Sequence, residues 1–165
     1  TVSTSILVPK PFTPFQWAPM ARPEIVDERI KAVRGAIKSR SIVYNYHEQE
    51  TSFMEAVFAR GDRRTCDVLI KAFEKGAKFD GWSEYFNLDT WKEAMEKNNL
   101  SIDFYANRER SYDEVFPWDH IDVGVSKKFL IRENEKAKSD TVTPDCRHKC
   151  NACGINAHDI GRGMC

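Results

Sequence analysis

The sequence predicts a mixed α/β chain, with a parallel β–α–β unit at the start, a mostly helical middle and a cysteine-rich tail. Three observations lead there. Strand-like runs at residues 1–8 and 41–46 flank a stretch of helical periodicity, the order of a parallel α/β unit. Between residues 51 and 140, apolar positions recur at helical spacing behind capping residues and ahead of glycines. Four of the five cysteines then fall within residues 146–165. The order of these elements divides the chain at 1–50, 51–140 and 141–165.

Size and charge narrow the function classes. A chain of 165 residues can bury a core without disulfide staples. Its 25 basic and 25 acidic residues balance, which argues against binding nucleic acid by bulk charge and leaves room for a local basic patch. No apolar run reaches the roughly 20 residues that span a bilayer, so no membrane partner is expected. No signal-peptide pattern opens the chain, and the expected compartment is the cytoplasm. Cysteines stay reduced there, and a cluster of them reads as a metal site before it reads as disulfides. The chain opens on Thr1 inside a strand-like run, which we read as the C-terminal part of a longer protein.

In chain order, the opening strand gives way to Pro9–Pro19, where four prolines forbid a helix and interleave with Phe12, Phe15 and Trp17. Such a segment is either a loop pinned to the core by its rings or a cover over a functional site. Pro23 suits a first helical turn, and Val26, Ile30, Val33 and Ile37 form one face of a helix to about Arg40. Ile42, Tyr44 and Tyr46 alternate as in a strand. Ser52 and Glu55 have capping-box spacing, with Phe53 and Val57 facing the core and Gly61 as the stop. A second helix runs to Gly76 with Leu69, Ile70 and Phe73 apolar; Cys66 in its first turn reads as a small core residue. Arg60, Arg63 and Arg64 form either a solvated turn or a fork for a carboxylate or phosphate. Asp89, Ser101 and Ser126 are expected N-caps, the last opening a helix to about Lys138. Ser139–Pro144 reads as a flexible linker.

Two places carry candidate chemistry. Asp119, His120 and Asp122 are close enough for metal or acid–base work, or else form a tight turn whose side chains bond the backbone. Cys146, Cys150 and Cys153 have C-x3-C-x2-C spacing, and Cys165 offers a fourth thiol. Thiolates this near in sequence can converge on one 4Fe–4S cluster or one tetrahedral zinc ion. Zinc ribbons pair two C-x2-C turns, and only Cys150 and Cys153 make one here, which favours the cluster. Gly154 lets the backbone turn tightly, and His148 and His158 are reserve ligands.

Several blocks carry a resemblance along the whole chain. Val8–Trp17, Phe53–Arg64, Phe79–Trp82, Pro117–Leu130 and Thr143–Arg147 look like the C-terminal third of a radical S-adenosylmethionine protein family, largely uncharacterised and often with an upstream cobalamin-binding-like domain. The resemblance implies that residues 1–50 end a partial (β/α) barrel, Thr1–Pro19 being its last strand and loop. It implies a cluster near that barrel's start that reductively cleaves S-adenosylmethionine to a radical, and hence that the N-terminal remainder of the same protein is this chain's partner. The tail lies at the other end from that signature, so Cys146, Cys150, Cys153 and Cys165 are expected to hold an accessory cluster or metal. Near the place where a further cysteine often follows in the family, this chain has Asn156. The rival expectation is a zinc- or cluster-holding module that recognises RNA or a protein partner through Arg60, Arg63, Arg64, Arg147, Lys149 and exposed rings.

Overall fold

The opening β–α–β pattern appears as β1 (Val2–Thr4), α1 (Pro23–Ala36) and β2 (Tyr44–Tyr46) in a computed structural model that describes residues 1–158. The strands pair in parallel, with Val2 opposite Tyr44 and Thr4 opposite Tyr46. Both are shorter than the apolar runs suggested, because a ladder extends only as far as a neighbouring strand supplies partners. Helix α1 starts on Pro23 as expected and stops at Ala36, where Ile37 turns extended. Its apolar stripe faces a groove of about 500 Å³ beside the two strands, lined by Met20, Ile25, Val26, Ile30, Val33 and Tyr44 among others. Only Val26 of the stripe is buried, and Leu7, Ile25, Ile42 and Val43 are exposed nearby in sequence.

The middle of the chain forms α2 (Gln49–Ala59), α3 (Thr65–Glu74), α4 (Leu88–Lys97) and α5 (Ile102–Ala106). The fold is thus mixed α/β and mostly helical, with a small two-stranded parallel sheet among the described residues. Helix α3 packs on α4, and α2 packs on α5. Met54, Val57, Val68, Ala72, Trp91, Ala94, Met95 and Tyr105 form the core there. Gly61 follows the Arg60 C-cap of α2, at a place where any Cβ would lie 2.7 Å from the Val57 carbonyl oxygen.

Several local expectations change. Ser52 does not cap α2; it lies inside the helix and its hydroxyl donates to the Glu48 carbonyl at 2.9 Å. Asn87, not Asp89, caps α4 by accepting from the Thr90 N–H. Both corrections follow from acceptor reach, since a cap must face an amide two or three residues ahead. Ser101 and Ser126 cap α5 and α6 (Lys127–Lys138) as their positions suggest. Cys66 is exposed rather than part of the core, because Val68 and Ala72 supply the inward face of α3 and leave Leu69, Ile70 and Phe73 exposed. Arg60 is not solvated: it is 1 % exposed and donates to the carbonyls of Ala18, Ala106 and Arg108.

Two compact units divide the chain. One comprises Thr1–Pro9 and Ala18–Glu109; the other joins Lys10–Trp17 to the residues from Arg110 onward. In the second unit Trp17 is 2 % exposed and meets Tyr112 edge-on at 5.0 Å, with Phe116, Trp118 and Leu130 completing the cluster. The proline-rich segment is therefore a loop pinned by a ring, and Gln16 adds a polar pin. Its Oε1 accepts from the Phe12 N–H at 3.1 Å and from the Trp118 indole at 3.0 Å. Ser139–Pro144, expected to be a flexible linker, is tied along α6, where Lys136 donates to Thr143 at 2.8 Å and Glu133 accepts from the same hydroxyl. Among the described residues, no helix is long and apolar enough to cross a membrane.

Candidate metal centre

The cysteine segment is built onto the N-terminus of α6. Ser126 caps that helix through its hydroxyl, which accepts from the Phe129 N–H at 3.2 Å, while its own N–H donates to the Cys153 carbonyl at 2.8 Å. Further along α6, Arg132 donates to the Asn151 carbonyl, so two anchors hold the segment between Cys150 and Gly154. Two glycines make the approach possible. Gly154 sits at φ +111, and a Cβ there would lie 3.1 Å from the Ser126 nitrogen; Gly124 sits at φ +78, and a Cβ there would lie 2.7 Å from Ile155 Cδ1.

Upstream, Asp145 accepts from the Arg147 N–H at 2.8 Å and from its guanidinium at 2.9 Å, which holds the carboxyl below its ordinary range. Asn151 donates to the Pro144 carbonyl at 2.7 Å and closes the loop. Within it the Ala152 N–H points at Cys150 Sγ at 3.5 Å, with Ala152 at φ +50. Such an amide is a donor that a metal-bound sulfur can use. The donor chemistry therefore suits zinc or an iron–sulfur centre. Cys146 and Cys150 are exposed, Cys153 is half-buried, and Cys165 lies outside the described residues. Among the described residues, no three His, Cys, Asp or Glu side chains are gathered closely enough to hold an ion.

The acidic turn lies against the same helix end. Asp119 accepts from the Phe116 N–H at 3.0 Å and from Lys127 at 3.4 Å, while Asp122 Oδ1 accepts from the Gly124 N–H at 2.8 Å. The bonds from the Phe116 and Gly124 amides are those of a tight turn. His120 is exposed beside them. With Ser126 and Lys127, all three rim a hollow of about 420 Å³. The structure also joins what the sequence kept apart: Asp122 Oδ2 lies 3.5 Å from His158 Nε2, on the 3₁₀ turn Ile155–His158.

The arginine cluster disperses. Arg60 is committed to carbonyls, and Arg64 pairs with Asp62 at 2.6 Å. That guanidinium lowers the Asp62 pKa to about 2, with the Tyr105 hydroxyl adding a hydrogen bond at 3.1 Å. Sequence reasoning missed Gln16 and Arg110. Gln16 is a polar residue in a proline-rich loop, and Arg110, only 5 % exposed, lies 5.2 Å from the Phe116 ring; no periodicity marks either. No family model matches the chain, and no curated protein or solved structure is significantly similar to it.

Proposed function

We propose that this chain is the C-terminal part of a cytoplasmic radical S-adenosylmethionine iron–sulfur enzyme, with an accessory cluster or metal held by Cys146, Cys150, Cys153 and Cys165. The observation that carries the reading is the parallel β1–α1–β2 unit with its open apolar flank. Parallel strands are ordinarily covered on both faces and flanked by further strands. Here an apolar groove and exposed Leu7, Ile42 and Val43 remain to be covered, which suits the end of a partial barrel whose earlier strands belong to the N-terminal remainder.

In that reading the residues of this chain have bounded roles. The unit from Thr1 to Tyr46 closes the barrel, and Cys146, Cys150 and Cys153 bind the accessory centre through sulfur. That centre, when bound, supplies either an electron relay or a structural cross-link. Cleavage of S-adenosylmethionine belongs to the N-terminal part, so the chain by itself is inactive.

Anaerobic reconstitution with iron and sulfide, followed by metal analysis and EPR, tests the tail. About four irons per chain, with a reducible signal lost in Cys150→Ser, is the expected result for a 4Fe–4S centre. Unchanged metal content in Cys150→Ser would refute the ligand assignment. In the complete protein, 5′-deoxyadenosine should form under reducing conditions; its absence would sink the enzyme reading.

One observation favours a second reading, a recognition module for single-stranded RNA. Phe79, Trp82 and Tyr85 are exposed, and Phe79 lies within 6.3 Å of both other rings, a surface on which bases could stack. The basic half of that reading is weak, since Arg60 is buried and Arg64 and Arg147 are paired to Asp62 and Asp145. Retention of a single-stranded RNA at moderate salt, abolished by Trp82→Ala, would support it; no retention would dismiss it.

A further inference from the structure

We infer that His158 is a ligand of the tail's metal site and Asp122 the carboxylate that orients it, so that Cys146, Cys150, Cys153 and His158 take one tetrahedral ion of the zinc class. The inference rests on the reading that the tail binds metal; it puts His158 in the place of Cys165 as fourth ligand and a single ion in the place of the cluster.

Four observations meet at this point. Cys150, Cys153 and His158 lie within nine residues, and the chain between the last two turns at Gly154, φ +111, and then winds through the 3₁₀ turn Ile155–His158. A tight turn after the second thiol lets a third donor come back toward the first two when an ion binds. The Ala152 N–H at 3.5 Å from Cys150 Sγ provides the amide that a metal-bound thiolate uses. The Ser126 N–H fixes the Cys153 carbonyl at 2.8 Å, anchoring the turn to the end of a 12-residue helix.

The fourth observation is the imidazole's partner. Metal-binding histidines donate their second ring N–H to a carboxylate, which fixes the tautomer and the ring plane. Asp122 Oδ2 stands 3.5 Å from His158 Nε2, and Asp122 Oδ1 is itself held by the Gly124 N–H at 2.8 Å. Once Nε2 donates to Asp122, Nδ1 is the nitrogen left for a metal. Three thiolates and one imidazole make a Cys3His set, which zinc accepts as a closed tetrahedron.

No three of these side chains are gathered about one point among the described residues, so binding must draw them in. Cys146 and Cys150 are exposed and stand outside any helix, so closure unpacks no core. The turn and the anchor are already present, and Asp122 stands within reach of the imidazole at 3.5 Å.

The test is titration of the reduced chain with Co²⁺ and then Zn²⁺, read by the visible absorption of tetrahedral cobalt. One equivalent should bind and be displaced by zinc. His158→Ala should weaken Co²⁺ binding at least about tenfold and change the band shape, because a sulfur–nitrogen set becomes a sulfur–water set. Asp122→Asn, which keeps an acceptor for Gly124, should weaken it by roughly tenfold, as loss of an orienting carboxylate does. His120→Ala, exposed in the same turn, should change nothing; a matching loss there would overturn the assignment by showing a general effect of the turn. If His158→Ala leaves affinity and spectrum unchanged while Cys150→Ser abolishes binding, His158 is no ligand and the metal tail itself stands. If the chain assembles about four irons and takes no single Co²⁺, the ion class is wrong and the cluster reading stands. If the chain binds no metal, both readings fall.

Discussion

The helical unit and the unit built on α6 are held together in different ways. In the first, Val57, Val68, Ala72 and Ala94 are fully buried, α3 packs on α4 and α2 packs on α5. Small residues bring those helices close, and the one large cation inside, Arg60, spends its guanidinium on three carbonyls. In the second, α6 is the only helix longer than one 3₁₀ turn among the described residues. Rings and hydrogen bonds take the place of helix pairs. Trp17 meets Tyr112, Phe116 lies 4.9 Å from Trp118, and Gln16 ties Phe12 to Trp118. The difference teaches where a metal tail can sit. A segment fastened by a few polar pins to one helix end can rearrange around an ion without unpacking a helix pair.

The largest expected effect probes the ring cluster. Trp17→Ala should destabilise the second unit by about 4 kcal/mol, the usual cost of emptying a large aromatic site, in chemical denaturation followed by near-ultraviolet dichroism. Trp17→Phe should cost far less than that, because the Trp17 indole N–H is buried without a hydrogen-bond partner and its removal forfeits no bond. Equal losses in both variants would mean that the indole, not ring burial, holds the loop.

Next in size is Arg60→Ala, expected to cost about 3 kcal/mol by leaving buried carbonyls without donors, with amide exchange in α2 and α5 rising first. A neutral result would break the contrast, since the helical unit would then rest on apolar packing alone.

A smaller effect comes from Asp62. Its pKa is lowered from 3.8 to about 2, first by the Arg64 guanidinium, so its contribution is present above 3.8 and is lost as the pH falls from there through about 2. Because Arg64 is 60 % exposed, solvent screening reduces this to roughly 1 kcal/mol. Asp62→Asn should flatten the acid limb of the stability curve in that window; an unchanged limb would show the pair to be inert.

The smallest is Asp119→Asn, which keeps an acceptor for the Phe116 N–H and loses only the Lys127 pair. It should shift stability by less than about 0.5 kcal/mol and, on the proposed enzyme reading, leave turnover of the complete protein unchanged. A drop in turnover at constant stability would make the acidic turn catalytic.

The elements were legible in the sequence wherever one local rule decided the outcome. Pro23 and the four-three-four spacing of Val26, Ile30, Val33 and Ile37 predicted α1, and Ser101 and Ser126 marked their helix starts. The parallel pairing of β1 and β2 followed from strand–helix–strand order. Rules with two competing readings failed. Ser52 and Asp89 have capping chemistry, yet Glu48 and Asn87 hold the cap positions because the helices start earlier than the spacing suggests.

The cysteines, their spacing and the glycine beside them belong to the sequence alone, since a thiol's chemistry and a C-x2-C separation need no fold to be read. What only the tertiary structure decided is what faces them. It brought Asp122 to His158 across 36 residues, set Ser126 against the Cys153 carbonyl, and buried Arg60 under loop carbonyls that lie more than 40 residues away in either direction. Periodicity records which side of a helix is apolar. It carries no record of which distant loop a single polar side chain will meet, because that choice depends on where the packed helices place the loops.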